Sequence, residues 1–185
     1  AAIKDRREYQ LVTAQLDFRG EGTMMFGIGV DADLRDAANN LVQVGQGGIG
    51  LGVRDYYVND DDQTKKIREA YKAYMKKLFQ MVGNDEATAQ KKMEAVMAIE
   101  TRIAKASYSQ VELRDIDKNY HKMTYNQLVT DYPGIDWGNV FLASGFPAFK
   151  EICVGQPEPI HEVEKVLAET SLDDLKTYAE IKVIA

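Results

Sequence analysis

The 185-residue sequence contains one cysteine, four prolines and two histidines, and these shortages exclude several classes of protein. Cys153 alone allows no intrachain disulfide and no thiolate metal cluster, so we expect a small buried hydrophobic residue there. No apolar run approaches the ~18 residues that cross a bilayer, and the charged residues 1–10 lack the apolar stretch of a signal peptide. We therefore expect no membrane segment and no targeting signal within these residues.

Basic residues are also in short supply, with 23 Lys and Arg against 29 Asp and Glu, a net charge of -6. This sign disfavours nucleic acid and anionic membrane surfaces as partners. Hydrophobic residues make up 45% of the chain and charged residues 28%, as in ordinary globular proteins. A chain of this length can bury roughly 70% of its unfolded surface, so it needs no covalent staples.

Apolar residues with a 3.6-residue period predict a mainly α fold. A helix is expected over residues 62–82, started by Asp61 or Asp62 and ended by Gly83, and another over 85–107. The stripe of the first helix comprises Ile67, Ala70, Tyr71, Tyr74, Met75, Leu78, Met81 and Val82. The stripe of the second comprises Ala89, Met93, Val96, Met97, Ile103 and Ala104.

Capping signals predict further helices along the rest of the chain. Thr124 begins a capping box, Asp136 precedes residues 137–144, Pro157 and Pro159 open another helix, and Ser171 precedes the last, 172–183. Residues 3–18 are predicted to form a helix that begins without a capping side chain, and the last helix has no stop signal. We interpret both ends of the sequence as cut.

Short strands are predicted for residues 24–30 and 41–44, paired as a hairpin across about ten polar residues. Residues 149–154 are predicted to be extended. The expected fold class is thus mainly α, a helical domain with a small β element near residues 24–44. Within a single fragment, 1–185, we expect a helix plus a hairpin-like, glycine-rich segment over 1–58 and a helical domain over 59–185. The predicted core comprises Tyr71, Met75, Leu78, Met93, Met97, Ile103, Trp137 and Phe141.

His161-Glu162 opens like the zincin motif His-Glu-x-x-His, in which two imidazoles one helical turn apart share a zinc ion. The second histidine position is Lys165, whose ammonium group cannot be a ligand. His121 lies in an unrelated polar stretch, so neither histidine is a strong candidate. We predict no metal site within these residues.

Gly45-Gln46-Gly47-Gly48-Ile49-Gly50 matches the dinucleotide fingerprint Gly-x-Gly-x-x-Gly, but residues 51–57 do not form the amphipathic helix that would face a pyrophosphate. Asp60-Asp61-Asp62 lacks the alternation of a calcium loop and is better explained by helix capping. The methionines at 75, 81, 93 and 97 are interpreted as packing residues. No nucleophile has a recognisable base partner, so we assign no catalytic, cofactor-binding or metal-ligating residue.

Several phrases together resemble the neprilysin-like zinc metalloendopeptidases, most closely their bacterial oligoendopeptidase O branch. In the family's order they are Met25 to Asp31, Asn40 to Leu51, Arg54-Asp55-Tyr56-Tyr57, Ile99 to Ala104, Arg114-Asp115, Tyr120 to Thr124, and Leu172 to Val183. Each phrase is weak, but their common register from about residue 20 onward makes the match specific.

The resemblance implies a parent protein that cleaves peptides with zinc, and mostly outside the cytoplasm: periplasmic, cell-surface or secreted. The family's His-Glu-x-x-His, its third zinc ligand and its substrate-gripping Asn-Ala-Phe/Tyr are all missing from this sequence. The chain is therefore expected to be an internal, non-catalytic fragment, inactive alone, that forms a cavity wall opposite the catalytic domain of the same parent chain. The alternative is a helical binding module that acts alone, and a dinucleotide enzyme is a remote third.

Overall fold

The computed structural model describes residues 3–185 and confirms the expected fold class. The described part of the chain is mainly α-helical with one small sheet. In chain order its elements are α1 (Arg6–Phe18), β1 (Phe26–Asp33), β2 (Asp36–Gln46), α2 (Asp55–Val58), α3 (Asp62–Met81), α4 (Glu86–Ala106), a 3-10 turn (Glu112–Arg114), β3 (His121–Thr124), α5 (Tyr125–Asp131), α6 (Trp137–Ala143), β4 (Glu151–Val154), α7 (Pro157–Glu169) and α8 (Leu172–Ile184).

Helix α4 lies at the centre of the helical packing, because it contacts α3 on one side and α7 and α8 on others. Its apolar stripe is buried as predicted, with Val96 and Ile103 fully inaccessible. Asp61 and Asp85 begin α3 and α4, each with a carboxylate that accepts a backbone N–H three residues later. These caps satisfy donors that the first turn of a helix leaves free.

The expectation of an uncapped first helix is wrong. Helix α1 begins at Arg6, and the Asp5 carboxylate accepts the backbone N–H of Glu8. The prediction of an uncapped start relied in part on residues 1–2, which lie outside the residues that the structure describes. The capping box predicted at Thr124 and the helix caps predicted at Asp136 and Ser171 are all present.

The sheet has the strand order β1-β2-β4-β3. Strands β1 and β2 are antiparallel as predicted, but the ten-residue loop expected between them is wrong: only Leu34 and Arg35 separate the strands. The polar residues between 31 and 40 continue the ladder, because strand pairing uses backbone groups and requires no apolar side chains. A prediction based on runs of apolar residues therefore ends both strands too early. Strand β4 pairs parallel to β2 and antiparallel to β3, a strand that the sequence pattern did not predict.

The core contains Met75, Met93, Met97, Ile103, Trp137 and Phe141, as predicted. Tyr71 and Leu78 are only partly buried at its edge, and Phe79 is the fully buried aromatic residue of α3. Assigning Tyr74, Met81 and Val82 to the packed stripe was wrong, since they are 46%, 73% and 50% exposed. These three side chains lie on the solvent-exposed surface of this region.

None of the helices within residues 3–185 combines the length and the hydropathy that a membrane span requires.

Candidate functional site

The two histidines occupy separate settings. The Nδ1 atom of His161 lies 2.9 Å from the Glu164 carboxylate, and the imidazole stacks on Tyr132 with ring centroids 4.5 Å apart. The Lys165 ammonium is 63% exposed and lies 3.8 Å from Glu162, so it takes the place of a second imidazole without any ligand character.

His121 belongs to strand β3 and donates from Nδ1 to the carbonyl oxygen of Val154, 2.9 Å away. Cys153, on the neighbouring strand, is completely buried, and its burial raises the pKa of the thiol. Across residues 3–185 no three His, Cys, Asp or Glu side chains are grouped so that they could hold a metal ion. The residues described here therefore do not fit a catalytic zinc, whose sites take three protein ligands.

The glycine-rich segment 45–52 connects β2 to α2 and packs tightly against its neighbours. Gly48 has a φ of +78°, and a Cβ there would lie 2.7 Å from the Met25 Cα. A Cβ at Gly50 would overlap the Tyr71 hydroxyl and lie 2.8 Å from the Tyr71 Cζ. Gly48 and Gly50 therefore allow close packing, and the space beside them is occupied by the Met25 backbone and the Tyr71 side chain.

Beneath this segment lies a buried polar cluster built on Glu100 of α4, which is 0% exposed. Its Oε1 accepts from the Lys182 Nζ of α8 at 2.6 Å and from the Tyr71 hydroxyl at 3.2 Å. Its Oε2 accepts from the Tyr57 hydroxyl at 2.6 Å. We call these four residues the Glu100 cluster.

The Glu100 cluster also holds the glycine-rich segment. The Tyr57 hydroxyl accepts the backbone N–H of Leu51 at 3.0 Å. Tyr178, whose ring lies 5.0 Å from the Lys182 ammonium, donates its hydroxyl to the Gly48 carbonyl at 2.7 Å. One carboxylate thus ties α2, α3, α4 and α8 together and fixes the path of the chain between β2 and α2.

Burial raises the pKa of Tyr57 and Tyr71 well above the ordinary value for a phenol, and the Glu100 charge raises both further. Burial does the same for Tyr178. The three hydroxyls are therefore protonated at neutral pH and act as hydrogen-bond donors. The arrangement is suited to positioning chain segments.

Sequence reasoning missed the Glu100 cluster, although Tyr57 and Glu100 stood inside phrases that carried the family resemblance. A signal was available: Glu100 follows Val96 by four residues and precedes Ile103 by three, so a charge sits on the apolar stripe of α4. A buried carboxylate of this kind requires a cation and hydrogen-bond donors. Which residues supply them cannot be read from helical spacing alone.

An open groove of about 860 Å³ runs between α3 and α4 on the outer side of the cluster, with Tyr57 in its lining. Met93, Met97 and Ala98 also line it. Its basic lining residues are Arg68, Lys72, Lys76, Arg102 and Lys105, and its acidic ones are Glu69 and Glu94.

Most of these basic groups are paired locally. Arg102 bridges Glu162 and Glu169 of α7, both at 2.8 Å, and Lys76 pairs with Glu86 at 2.9 Å. Lys105 is exposed and forms no ion pair with any residue from 3 to 185. The α3–α4 groove is therefore a charged concavity, and among the described residues Lys105 is the one basic residue of its lining without an ion pair.

Comparison with known proteins identifies the relatives of this chain. The model of peptidase family M13 matches residues 1–185. Endothelin-converting enzyme 1 of Rattus norvegicus is 33% identical over 141 residues, which are 76% of this chain and 18% of that relative. The endothelin-converting enzyme homolog of Locusta migratoria is also 33% identical, over 133 residues.

Solved structures agree with this assignment. The crystal structure of Mycobacterium tuberculosis zinc metalloprotease Zmp1 in complex with inhibitor is 31% identical and superposes with a TM-score of 0.91, covering 99% of this chain and 28% of that one. PepO from Lactobacillus rhamnosis HN001, at 16% identity and a TM-score of 0.74, shares the fold. The chain thus spans only about a fifth of the rat relative and about a quarter of the solved ones. The family model covers residues 1–185 and the resemblance drawn from the sequence is confirmed, so this chain belongs to peptidase family M13.

Proposed function

We propose that this chain is a non-catalytic, mainly helical portion of a zinc metalloendopeptidase, and that it shapes the cavity in which the parent protein cleaves peptides. The observation that carries the proposal is the match to Zmp1, a zinc metalloprotease, at a TM-score of 0.91 over 99% of this chain. The engagement of His121 and His161 with Val154 and Glu164 supports the view that zinc is held elsewhere in the parent. Its partners would then be the catalytic domain of the same polypeptide and the peptide substrates.

We assign the cavity-wall role to residues 59–185, and in particular to α3 and α4. Their groove is long, open and charged, while the Glu100 cluster fixes it rigidly from below. A wall of this kind limits which peptides enter by shape and charge, and contributes nothing to bond cleavage itself. We also propose that the parent protein belongs to a bacterial branch close to oligoendopeptidase O and that it acts outside the cytoplasm.

The first experiment compares the 185-residue chain with the longer natural polypeptide that contains it. Each is incubated with zinc and a quenched fluorescent peptide. Cleavage by the longer polypeptide and none by the 185-residue chain is the expected result. Cleavage by the short chain that scales with its concentration and disappears in His161→Ala would refute the non-catalytic role. No zinc-dependent cleavage by the longer polypeptide would favour a stand-alone binding module instead.

A second experiment tests the wall itself. In the longer polypeptide, Lys105→Glu should lower kcat/KM for a peptide with acidic residues, mainly through KM, because it reverses the unpaired charge in the groove. Lys66→Glu, an exposed lysine of α3 outside the groove lining, is the matched control. Deleting residues 62–107 should reduce cleavage of all peptides. Equal effects of the two lysine variants would count against the groove as a wall of the cavity.

A further inference from the structure

The connection between β2 and α2 is held firmly at both of its ends. Gln46, the last residue of β2, donates its backbone N–H to the Gln156 side chain at 2.8 Å. The Gln46 side-chain amide also bonds both backbone groups of Tyr108, at 2.6 and 3.2 Å. On the α2 side, the Arg68 guanidinium of α3 donates to the Tyr56 carbonyl oxygen at 2.9 Å. Neighbouring elements therefore fix where the connection begins and where it ends.

Residues 48–52, which we call the strap, lie between these fixed ends and form neither helix nor strand. Within residues 3–185, two hydrogen bonds join the strap backbone to the rest of the chain: Leu51 N–H to the Tyr57 hydroxyl, and the Tyr178 hydroxyl to the Gly48 carbonyl oxygen. Each of the five strap residues is partly or fully exposed. Segments with exposed backbone and few buried contacts open locally at a lower free energy than the core does.

The two tyrosine hydroxyls hold a single small unit. The Gly52 N–H donates to the Ile49 carbonyl oxygen at 3.1 Å and closes a turn inside the strap. Leu51 lies within this turn and Gly48 directly precedes it, so the two held points are only three residues apart. Because a closed turn moves as a whole, we expect release of one hydroxyl to loosen the bond to the other.

The two tyrosines belong to different parts of the molecule. Tyr178 is on α8, is fully buried, and its ring lies 5.0 Å from the Lys182 ammonium. Tyr57 is on α2, lines the α3–α4 groove, and donates its one hydroxyl hydrogen to Glu100 at 2.6 Å. Its oxygen is therefore free to accept the Leu51 N–H. The strap thus contacts α8 through one tyrosine and a residue of the groove through the other.

The strap also covers the Glu100 cluster. A Cβ built on Gly50, at the middle of the strap, would lie 3.2 Å from the Glu100 Oε1. The Lys182 ammonium bonds this same oxygen at 2.6 Å. Lifting the strap would expose a buried charge pair to water, and the closed strap keeps that pair dry.

We propose that the strap opens and closes as one unit over the Glu100 cluster, and that it couples α8, through Tyr178, to the α3–α4 groove, through Tyr57. The importance of this coupling for peptide cleavage rests on the proposed function, whereas the opening itself depends on this chain alone. Failure of the parent to cleave peptides would leave the strap unaffected. A strap that does not open would leave the cavity-wall role unaffected.

The test measures amide hydrogen exchange of the ¹⁵N-labelled 185-residue chain by NMR, at several urea concentrations below the unfolding transition. Val96, fully buried in α4, reports global unfolding. After correction for intrinsic rates, the Leu51 N–H should exchange at least about tenfold faster than the Val96 N–H. Its exchange should also depend less on urea, because a local opening exposes less surface than global unfolding does.

Tyr178→Phe removes one of the two hydroxyls and leaves the acceptor of the Leu51 N–H in place. If the strap is one unit, this variant should speed Leu51 exchange by about 3–10-fold, the range expected for the loss of one hydrogen bond. Tyr56→Phe removes the hydroxyl of a partly buried tyrosine that does not bond the strap, and is the matched control. It should change the Leu51 rate by less than about twofold.

Three results would overturn the proposal. The first is Leu51 exchange with the same rate and urea dependence as Val96, which would mean that the strap opens only when the whole chain unfolds. The second is a Leu51 N–H without any protection, which would mean that the strap is not held closed. The third is Leu51 exchange that Tyr178→Phe leaves unchanged. The first two need only the unmodified chain, so the proposal can be refuted even if Tyr178→Phe does not fold.

Discussion

Charged residues are buried near the C-terminal end of α4, whereas most of those in the outer half of the β1–β2 hairpin are exposed. Glu100 is inaccessible and Lys182 is 13% exposed, so a charge pair stands inside the helical core. Along the hairpin, Asp31 and Asp36 are exposed to solvent. A buried charge depends on every one of its partners, whereas an exposed charge is screened by water. We therefore expect the buried Glu100–Lys182 pair to contribute more to stability than the exposed carboxylates of the hairpin.

The glycines near the Glu100 cluster and in the hairpin also differ in their surroundings. A Cβ on Gly50 would overlap the Tyr71 hydroxyl and lie 3.2 Å from the Glu100 Oε1, while a Cβ on Gly29 would meet nothing within 4 Å. At Gly50 the missing side chain allows the main chain to pass close to the Glu100 cluster, whereas at Gly29 no neighbouring atom requires a glycine. Four substitutions test this comparison.

The largest effect is expected for Lys182→Met, which leaves the Glu100 carboxylate buried without its cation. We expect a loss of about 3–5 kcal/mol in the free energy of unfolding, measured by urea titration. The double variant Glu100→Gln, Lys182→Met removes both charges and should be more stable than the single variant.

The matched exposed pair is Lys65 with Asp60, where the side chains are 49% and 84% exposed. Lys65→Met should cost less than about 1 kcal/mol. Similar losses for Lys182→Met and Lys65→Met would mean that burial of the Glu100 cluster does not set its importance.

Phe79→Ala should be the next most damaging change, at about 3–5 kcal/mol, because the ring is fully buried and leaves a cavity. Leu78→Ala, one position earlier and only partly buried, should cost no more than about 2 kcal/mol. Urea midpoints of the two variants compare them directly. A larger loss for Leu78→Ala than for Phe79→Ala would mean that Leu78, and not Phe79, is the residue of α3 that packs in the core.

Gly50→Ala should cost about 1–3 kcal/mol, since its methyl group would displace the Tyr71 hydroxyl from Glu100. Adding Tyr71→Phe should recover part of that loss. Gly29→Ala is the control from the hairpin and should change the urea midpoint by less than about 0.5 kcal/mol equivalent. Equal losses at the two glycines would show that the contact of a new methyl group with Tyr71 does not set the cost of the Gly50→Ala substitution.

Much of the helical architecture could be predicted from the sequence, because its signals are local. Asp61, Asp85, Thr124 and Ser171 each start a helix through a bond to a residue three positions on. The stripe of α4 is buried on every predicted position because α4 has helices on several sides. The stripe of α3 was predicted to be wider than the buried face, because helical period alone does not show how much of an apolar face its neighbours cover.

The sheet and the Glu100 cluster were less predictable because they depend on distant residues. Strand β3 pairs with β4 about thirty residues later, and Lys182 reaches Glu100 from 82 residues away. Tyr57 and Glu100 both belong to phrases that carry the family resemblance, but their contact with each other is visible only in the fold. Parallel pairing of β2 with β4 likewise has no local signal.

The smallest expected effect concerns Asp33, the one carboxylate of the hairpin that is buried, with 3% of its side chain exposed. The backbone N–H of Arg35, the Tyr120 hydroxyl at 2.8 Å and the Lys122 ammonium hold its pKa below the ordinary value of 3.8. A lowered pKa means that Asp33 stabilises the fold above its ordinary pKa, and that this stabilisation is lost as the pH falls through the folded value.

We therefore expect Asp33→Asn to lower the urea midpoint at pH 7, and the gap from the original chain to narrow as the pH is reduced below about 4. Asp31→Asn, on the same strand with an exposed carboxylate, is the control and should shift the midpoint little at pH 7. Because Lys122 also pairs with Glu151 at 3.1 Å, it keeps a partner in the Asp33→Asn variant, which limits the loss. A gap that stays constant down to about pH 2.5 would show that the Asp33 charge does not anchor the hairpin to β3, and that the Lys122 contact is an ordinary surface pair.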